Sequence, residues 1–587
     1  MKNNPLWYLF SKTWYYSAGN RKNLFGAWGM LVISKSLELF LQPLIWAWII
    51  NIIQAQGITH TNISKLLWLL VATLILEPVI WLFHGPARIK EQTNAFKIRL
   101  NYRKYLLKGV MTLPMEWHVD HHSGNTIDKI EKGTNSLYSF SEDSFEPIYS
   151  IVELMVSYGM LAYLSPSAAY TVLGMILISA YITMRFDRVL IGNYKQLSQA
   201  ENKISESVFD AISNISTVII LRVEKLVFEA IVRRVEQPFK LQKRTNLLNE
   251  IKWFMTSICS ATMVVIVLGV YFQQAMNLNQ SVMIGSVFLI IQYLGRISNL
   301  LFRFNNMYGN FVKYKARIMN AEELSLDFRA ENFTNHVLPA QWQQLSIRDL
   351  NFSYPNNENN GNLNLENVSL SIACGERVAL VGESGGGKTT LLMVMRDMYH
   401  PQSMELTVDG QLIPAGFEGI SRAIALVPQD PEILASTIME NITMGADYDL
   451  DFVKRFTDIA CFTDVAENLP HKFDSSMKEK GVNLSGGQKQ RLALARGLLA
   501  SDDKDIVLLD EPTSSLDTAT EMKVYGNIFR EFKDKTIISS IHRLHLLPMF
   551  DNIYMFSDGK IIASGNLGEM LATCPEFQEL WQHYHKH

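Results

Sequence analysis

Residues 382–389 read Gly382-Glu383-Ser384-Gly385-Gly386-Gly387-Lys388-Thr389, and this stretch decides the fold of the second half of the chain. An apolar run, 377–381, precedes it, and a predicted helix continues from Thr390. A glycine-rich turn between strand and helix presents backbone N–H groups to phosphate oxygens. In this pattern Lys388 neutralises the β- and γ-phosphates, and the Thr389 hydroxyl can ligate Mg²⁺. The stretch therefore predicts a site for nucleoside triphosphate and Mg²⁺.

A second apolar run ends in two carboxylates. Residues 506–509 are Ile-Val-Leu-Leu, and Asp510 and Glu511 follow directly. Such a run is typical of a strand in a covered parallel sheet, and ligands bind at the carboxyl ends of these strands. We expect Asp510 to hold the metal ion, through water, and Glu511 to polarise the attacking water. The fold class predicted for this half is an α/β P-loop NTPase.

A second glycine loop lies between these two motifs. It reads Ser485-Gly486-Gly487-Gln488 after Leu484, and a basic, alanine-rich run that is predicted to be a helix follows it. A glycine loop at the start of a helix is a second potential anion site. The sequence LSGGQ, placed between a phosphate loop and an Asp-Glu pair, resembles the signature of the ATP-binding cassette (ABC) family. The resemblance implies ATP as the nucleotide.

The resemblance extends to further residues. Tyr354 resembles the aromatic residue that stacks on adenine, and Gln429 the Q-loop glutamine that senses Mg²⁺ and the membrane domain. His542 resembles the switch histidine, which would contact the γ-phosphate beside Glu511, the expected general base. Ser515-Leu516-Asp517 resembles the D-loop, and 478–481 occupies the place of the exporter X-loop. Two departures, Gly386 and Ser515, remove no charged group that hydrolysis needs.

Composition limits the class of protein. The chain has 587 residues, of which 48% are hydrophobic, and a net charge of −3. Its length suggests several folding units, and the near-neutral charge argues against a nucleic-acid partner. The four cysteines, at 259, 374, 461 and 574, form no C-x-x-C pair and predict neither a disulfide nor a metal site. Three nearby histidines, at 118, 121 and 122, are more typical of a solvated loop tip than of a metal site.

The first half carries six long apolar segments. They are 24–53, 66–83, 148–164, 168–184, 253–272 and 282–301. Each is near the roughly 20 residues that a helix needs to cross a bilayer. We therefore predict a membrane α-helical domain with six transmembrane helices, preceded by an interfacial helix at 6–16 that is rich in Trp and Tyr.

Charged residues interrupt several of these segments. The candidates for a substrate path are Glu38, Glu77, Glu153 and Arg296. Charges inside a span usually mark a functional path. However, Lys35 lies one helical turn from Glu38, so a local ion pair explains both equally well. The sequence leaves these two interpretations open.

The connections between the spans predict orientation. The three short links, 51–62, 165–167 and 273–281, contain no Lys or Arg, whereas the long links, 84–146 and 185–252, are rich in both. Basic loops stay on the cytoplasmic side. We therefore expect a multi-pass protein of the cell inner (plasma) membrane, with both termini and the ATPase domain in the cytoplasm.

The long links are too periodic, and too poor in Gly and Pro, to be disordered, and they predict helical extensions of the spans. This arrangement resembles the exporter branch of the ABC family. The resemblance implies short transverse helices at the loop tips, near 122–125 and 211–224. The expected domains are 1–324 (membrane), 325–344 (linker) and 345–587 (nucleotide-binding).

The function that the resemblance implies is ATP-driven export or flipping by a homodimeric half-transporter. Its partners would be a second copy of the chain, membrane lipid, and a small amphipathic, lipid or peptide substrate. The alternatives are an ATP-gated channel or regulatory subunit, and one half of a heterodimeric exporter. A soluble ABC ATPase and an importer fit the six fused spans less well.

Overall fold

We describe a computed structural model of the chain. It covers residues 4–121, 123–277, 282–328, 338–339, 341–354, 364–430, 432–477 and 484–586. The X-loop prediction at 478–481 lies outside the described residues, as do half of the predicted linker and His122. The chain forms two compact units, which are Met1–Thr112 with His122–Arg329, and Leu113–His121 with Ala330–His587.

The first unit, in its described part, consists of helices joined by turns and short loops. Its helices are α1 (Pro5–Tyr16), α2 (Arg21–Gln56), α3 (Ile63–Met111), α5 (Ser123–Glu142), α6 (Phe145–Leu164), α7 (Pro166–Ser213), α8 (Ile215–Ile220), α9 (Glu224–Glu236), α10 (Phe239–Asn277) and α11 (Ile284–Glu323). Six helical segments are long and apolar enough to cross a membrane, as predicted. The prediction that the long basic links are helical is also confirmed, because α3, α7 and α10 continue far beyond their apolar windows.

The spans pack through a core of apolar side chains with few polar contacts. Tyr293 on α11 is fully buried, and its hydroxyl donates to the Leu39 carbonyl oxygen on α2 at 3.3 Å. Near the short links, Asn51 Oδ1 accepts from the Gly285 N–H at 2.9 Å. Side-chain bonds of this kind satisfy backbone groups where water is scarce and hold α2 against α11.

Two ion pairs account for Glu38 and Glu153, two of the four charges singled out within the spans. Lys35 Nζ lies 2.8 Å from Glu38 Oε1, which confirms the local pair. Glu153, whose side chain is 5% exposed, is paired with Arg303 on α11. Pairing makes a buried charge tolerable in an apolar environment. Arg303 and Glu153 are 150 residues apart, so no local pattern in the sequence connects them.

Helix α1 is the predicted interfacial helix, and it packs closely on the rest of the first unit. Leu9 and Thr13 are fully buried. Tyr8 donates a hydrogen bond to Glu322 Oε2 at 2.7 Å, and Lys12 pairs with the same carboxylate near the end of α11. The amphipathic face of α1 is therefore covered by protein.

The short helix of the first long link lies earlier than predicted. We expected it near 122–125, but α4 spans Met115–Asp120, and α5 already begins at Ser123. The prediction was therefore wrong by several residues. Pro114 at the N-cap of α4 is compatible with a helix start there. The second expected helix, within 211–224, is confirmed by α8 at Ile215–Ile220.

The second unit contains α4 and an α/β domain. Its strands are β1 (Gln344–Phe352), β2 (Leu365–Ala373), β3 (Arg377–Gly382), β4 (Ser403–Val408), β5 (Gln411–Leu412), β6 (Ile424–Val427), β7 (Ile506–Asp510), β8 (Thr536–Ser540), β9 (Asn552–Ser557) and β10 (Lys560–Gly565). Its further helices are α12 (Lys388–Met395), α13 (Ile438–Thr443), α14 (Leu450–Ile459), α15 (Thr463–Glu467), α16 (Gly486–Ala500), α17 (Thr518–Glu531), α18 (Leu567–Thr573) and α19 (Pro575–Lys586).

Two sheets organise this domain. One has the order β2-β1-β4-β5 with antiparallel pairing, and the other has the order β10-β9-β3-β8-β7-β6. In the second sheet, β6, β7, β8, β3 and β9 run parallel. Every residue of β7 and β8 is buried, as expected of apolar strands covered on both faces. The predicted α/β class is therefore confirmed, and the ends of β3 and β7 meet at one edge.

Part of the predicted linker packs in the core of this domain. Leu338 and Trp342 are buried in its apolar core, beside Leu345 and Leu380. The contact boundary between the units falls at 329/330. The three-part division at 324 and 344 stays a prediction.

Candidate nucleotide site

The phosphate loop connects β3 directly to α12. Gly382 (φ +140°), Gly385 (φ +83°) and Gly387 (φ +106°) adopt backbone conformations that favour glycine. At Gly382 a Cβ atom would lie 2.1 Å from the Phe556 carbonyl oxygen, so only glycine fits beside β9. The loop closes through the Gly386 N–H, which donates to the Glu383 carbonyl at 3.1 Å.

Lys388 spans this loop. Its ammonium donates to the carbonyl oxygens of Gly382 (2.8 Å) and Glu383 (2.9 Å), and the residue is only 5% exposed. Burial lowers the pKa of Lys388, and the charges of Glu511 and Asp510 partly offset that effect. A buried ammonium whose described hydrogen bonds go to carbonyl oxygens is well placed to bind phosphate oxygens.

Asp510 and Thr389 form the predicted metal-binding pair. Thr389 Oγ1 donates to Asp510 Oδ1 at 3.1 Å, and Ser540 Oγ donates to the same oxygen at 2.7 Å. Within the described residues, no group of three or more His, Cys, Asp or Glu side chains could hold a metal. A hydroxyl and a single carboxylate, completed by phosphate oxygens and water, fit Mg²⁺ bound with its nucleotide. Ser540 was missed, since its role depends on pairing between β7 and β8.

Glu511 contacts two other predicted site residues, the one that resembles the switch histidine and the one that resembles the Q-loop glutamine. His542 Nε2 lies 2.6 Å from Glu511 Oε1, and Gln429 Nε2 donates to Glu511 Oε2 at 3.0 Å. The His542 side chain is 43% exposed and that of Glu511 is 12% exposed, so a ligand can reach them. The structure thus brings together Gln429, Glu511 and His542, although 82 residues separate the first two in the chain.

The backbone of Glu511 lies in the left-handed region, with φ +46°. A side chain in this region is strained, and the surrounding contacts must hold it. The Glu511 N–H donates to Ser540 Oγ at 3.0 Å, and its carbonyl accepts from Gln490 Nε2 at 3.2 Å. Gln490, on α16, also accepts from the Ser515 N–H at 2.8 Å. Gln490 lies in the predicted helix after LSGGQ, and nothing local in the sequence assigns it to this site.

The signature loop forms the N-terminus of α16. Ser485 and Gln488 form a capping box, in which the Ser485 N–H donates to Gln488 Oε1 at 2.9 Å. A Cβ on Gly487 would lie 3.1 Å from the Ser515 carbonyl, whereas one on Gly486 would meet nothing within 4 Å. The loop therefore packs against the D-loop on one side and leaves Gly486 open on the other.

Tyr354 lies beside the start of α12. Its hydroxyl contacts Thr390 Oγ1 at 3.4 Å, and its ring packs edge-on against Phe352 and Tyr399. Burial raises the pKa of Tyr399, and the charges of Tyr354 and of Glu116 on α4 add to that effect. The predicted adenine-stacking residue is therefore close to the phosphate loop and is held by other aromatic rings.

Two regions of the chain match known protein families. Residues 365–514 match the family described as ABC transporter, and residues 25–298 match the ABC transporter transmembrane region. Together these two regions include the phosphate loop, LSGGQ, Asp510, Glu511 and the first five predicted spans. Both regions lie in one chain, which is the arrangement of a half-transporter.

Curated relatives agree with this assignment. The chain is 37% identical over 240 residues to the ATP-dependent lipid A-core flippase of Pectobacterium atrosepticum, and that match covers 40% of each chain. It is 26% identical over 550 residues to the Mesentericin-Y105 transport/processing ATP-binding protein of Leuconostoc mesenteroides. The second match covers 90% of this chain and 73% of the relative.

One solved structure has a similar fold over nearly the whole chain. It is described as a bacterial Atm1-family ABC exporter with ATP bound. The TM-score is 0.80, with 21% sequence identity, and the match covers 96% of this chain and 99% of the other. The fold is therefore that of an ABC exporter, and the chain is a multi-pass membrane protein.

Proposed function

Since this chain belongs to the ABC transporter family, we propose that it is an ATP-driven exporter that acts as a homodimer in the inner (plasma) membrane. In this proposal its termini and its nucleotide-binding domain lie in the cytoplasm. ATP hydrolysis moves a lipid, a peptide or another amphipathic substrate across or within the bilayer. The descriptions of the two relatives name different substrates, lipid A-core and Mesentericin-Y105. The proposed substrate class therefore includes lipids, peptides and other amphipathic molecules.

The observation that carries the proposal is the contact between Glu511 and His542 at 2.6 Å, next to the Asp510–Thr389 pair. In this arrangement Glu511 accepts a proton from water as that water attacks the γ-phosphorus. His542 donates to the γ-phosphate and fixes the position of Glu511. The closeness of the predicted base, the switch residue and the metal-binding pair supports a single site for ATP hydrolysis.

The phosphate loop and Lys388 stabilise the negative charge that develops as the γ-phosphate is cleaved. The loop N–H groups and the ammonium are held in place before the reaction, so little reorganisation is needed. When bound, Mg²⁺ would neutralise the β- and γ-oxygens from the side of Thr389 and Asp510. Gln429, which contacts Glu511, would respond to the same phosphate group. Tyr354 would stack on the adenine.

The homodimer follows from the signature loop. The family resemblance implies that LSGGQ of one chain closes on the nucleotide held by the phosphate loop of another. The open position at Gly486 supports such a contact, because a partner's nucleotide can approach the N-terminus of α16 there. Two identical sites would form, and both would hydrolyse ATP. Binding of ATP would favour the closed pair, and hydrolysis would release it.

The experiment compares Glu511→Gln and Lys388→Ala in full-length protein reconstituted into liposomes. Loss of a general base lowers turnover by about 10²-fold or more. We expect Glu511→Gln to bind a fluorescent ATP analogue like the wild type and to lose steady-state hydrolysis to that extent. Lys388→Ala should fail at binding, because the loop loses its only described ammonium.

Transport is measured with the same variants in a second preparation, inverted membrane vesicles. Inverted vesicles with wild-type protein should accumulate an amphipathic probe when ATP is added, and Glu511→Gln vesicles should not. Steady-state hydrolysis that survives in Glu511→Gln would contradict the assignment of the base. Hydrolysis without ATP-dependent accumulation of any lipid, peptide or drug probe would favour the channel or regulatory alternative. Purification with a second, different chain would favour a heterodimer.

A further inference from the structure

A buried carboxylate next to the site has no part in the proposed hydrolysis. Glu521, on α17, has a side chain that is 3% exposed. Thr513 Oγ1 donates to Glu521 Oε1 at 2.6 Å. Arg543 Nη1 lies 3.3 Å from Glu521 Oε2, and His545 Nε2 lies 3.2 Å from the same oxygen. Burying a carboxylate is costly unless several groups surround it, and these three do.

The partners of Glu521 belong to the two loops that carry the predicted catalytic residues. Thr513 follows Glu511 by two residues, and Arg543 directly follows His542. Arg543 also donates to the Leu516 carbonyl of the D-loop at 2.5 Å and to the carbonyl of Ser514, just before that loop, at 3.0 Å. Glu521 therefore ties the Glu511 loop to the His542 loop.

These loops have room to move. A cavity of about 120 Å³ lies between them, and Glu511, Thr513, Glu521 and His542 are among the residues that line it. Side chains beside a cavity lack the close packing that holds a core in one arrangement. The relative position of Glu511 and His542 thus depends on polar contacts, and those around Glu521 add to the contacts that Glu511 makes with His542, Ser540 and Gln490.

The C-terminal helix contacts the same group of residues. Tyr584, on α19, lies with its hydroxyl 2.7 Å from His545 Nδ1, and the two rings are stacked with centroids 6.2 Å apart. Helix α19 is anchored by Phe577, which is fully buried. If the tyrosine donates to Nδ1, His545 carries its proton on Nε2, which lies 3.2 Å from Glu521 Oε2 but is not aligned as a hydrogen bond, so the contact is electrostatic. The opposite tautomer would direct a lone pair at that negative charge.

We propose that Tyr584 and His545 are positioning residues for ATP hydrolysis. Tyr584 selects the tautomer and orientation of His545, and His545 holds Glu521. Glu521 in turn fixes the position of the Glu511 loop relative to the His542 loop. The inference rests on the proposed roles of Glu511 and His542. The phosphate loop is held separately by β3 and Lys388, so the effect should fall on turnover and not on ATP affinity.

The test measures kcat and KM for ATP in full-length protein in liposomes. The variants are Tyr584→Phe, His545→Gln and the double variant. Glutamine keeps an N–H group near the position of Nε2 but has no counterpart of Nδ1. We expect each single variant to lower kcat by about fivefold, the effect of one hydrogen bond, with KM unchanged. The double variant should be no slower than His545→Gln alone, because both residues act along one path.

A matched control separates positioning from folding. His583→Ala changes an exposed neighbour on the same helix and should leave kcat, KM and the melting temperature unchanged. Three outcomes would overturn the proposal: a kcat of Tyr584→Phe within twofold of the wild type, independent losses that multiply in the double variant, or a loss that accompanies equal losses of ATP affinity and melting temperature. Retained hydrolysis in Glu511→Gln would instead refute the site assignment itself.

Discussion

The two glycine loops of the nucleotide-binding domain differ in how much of their environment one chain supplies. The phosphate loop is enclosed, since Gly382 abuts the Phe556 carbonyl and Lys388 bonds to the loop's own carbonyls. The signature loop is capped by its own Ser485 and Gln488, and its Gly486 faces open space. The surroundings of the first loop thus come from its own chain. The second loop has an exposed side that a partner molecule could contact.

The largest effect is expected at the enclosed loop. Gly382→Ala would place a Cβ against a backbone oxygen at a positive φ, and such a clash and strain cost about 3 kcal/mol or more. We expect a large fall in melting temperature, or protein that does not accumulate. Gly385→Ala is the control, because it has a positive φ but nothing within 4 Å, and it should lose about 1 kcal/mol. Equal stability of the two variants would show that the loop is not enclosed.

The next effect concerns the open loop. The added Cβ of Gly486→Ala would meet no other part of the described chain within 4 Å, so the melting temperature and the affinity for ATP should match the wild type. Turnover should nevertheless fall about tenfold if a partner's nucleotide contacts this helix N-terminus, since one charge-assisted hydrogen bond contributes that much. Gly487→Ala, which crowds the Ser515 carbonyl, should instead lower the melting temperature. Full turnover in Gly486→Ala would count against the composite site.

The smallest effect should come from the cap of the signature helix. Ser485→Ala removes one half of a capping box, which costs about 1 kcal/mol. Thr437→Ala removes the same kind of cap from α13 and is the matched control for stability. Both variants should melt a few degrees lower, and only Ser485→Ala should also reduce turnover. Equal turnover in the two variants would show that the cap acts on stability alone.

Sequence reasoning predicted the elements with strong local signals. Six apolar runs near the length of a span predicted six long helices, and all six are present. The apolar residues of β7 and β8 likewise predicted two buried strands, and every residue of both strands is buried. The short helix α4 was misplaced because six residues, one of them a tryptophan between polar neighbours, have no usable periodicity. Pro114 was the available signal for its start.

The candidate site was predictable only where a residue belongs to a contiguous motif. Lys388, Thr389, Asp510 and Glu511 lie in such motifs, and the structure brings them close together. Ser540, Gln490 and Glu521 do not, because each acts through a partner 20 or more residues away or on another element. Their contacts arise only once the parallel sheet has formed. A hydroxyl at the end of β8 was visible in the sequence, but nothing local assigned it to Asp510.

The division of the chain has a consequence for its synthesis. Residues Leu113–His121, with α4, belong to the second compact unit, although they emerge from the ribosome far ahead of the rest of it. At about 5–20 residues per second, this segment waits on the order of half a minute or longer for the last strands to be made. The nucleotide-binding domain therefore matures only after translation is nearly complete, and early termination would leave α4 without its docking surface.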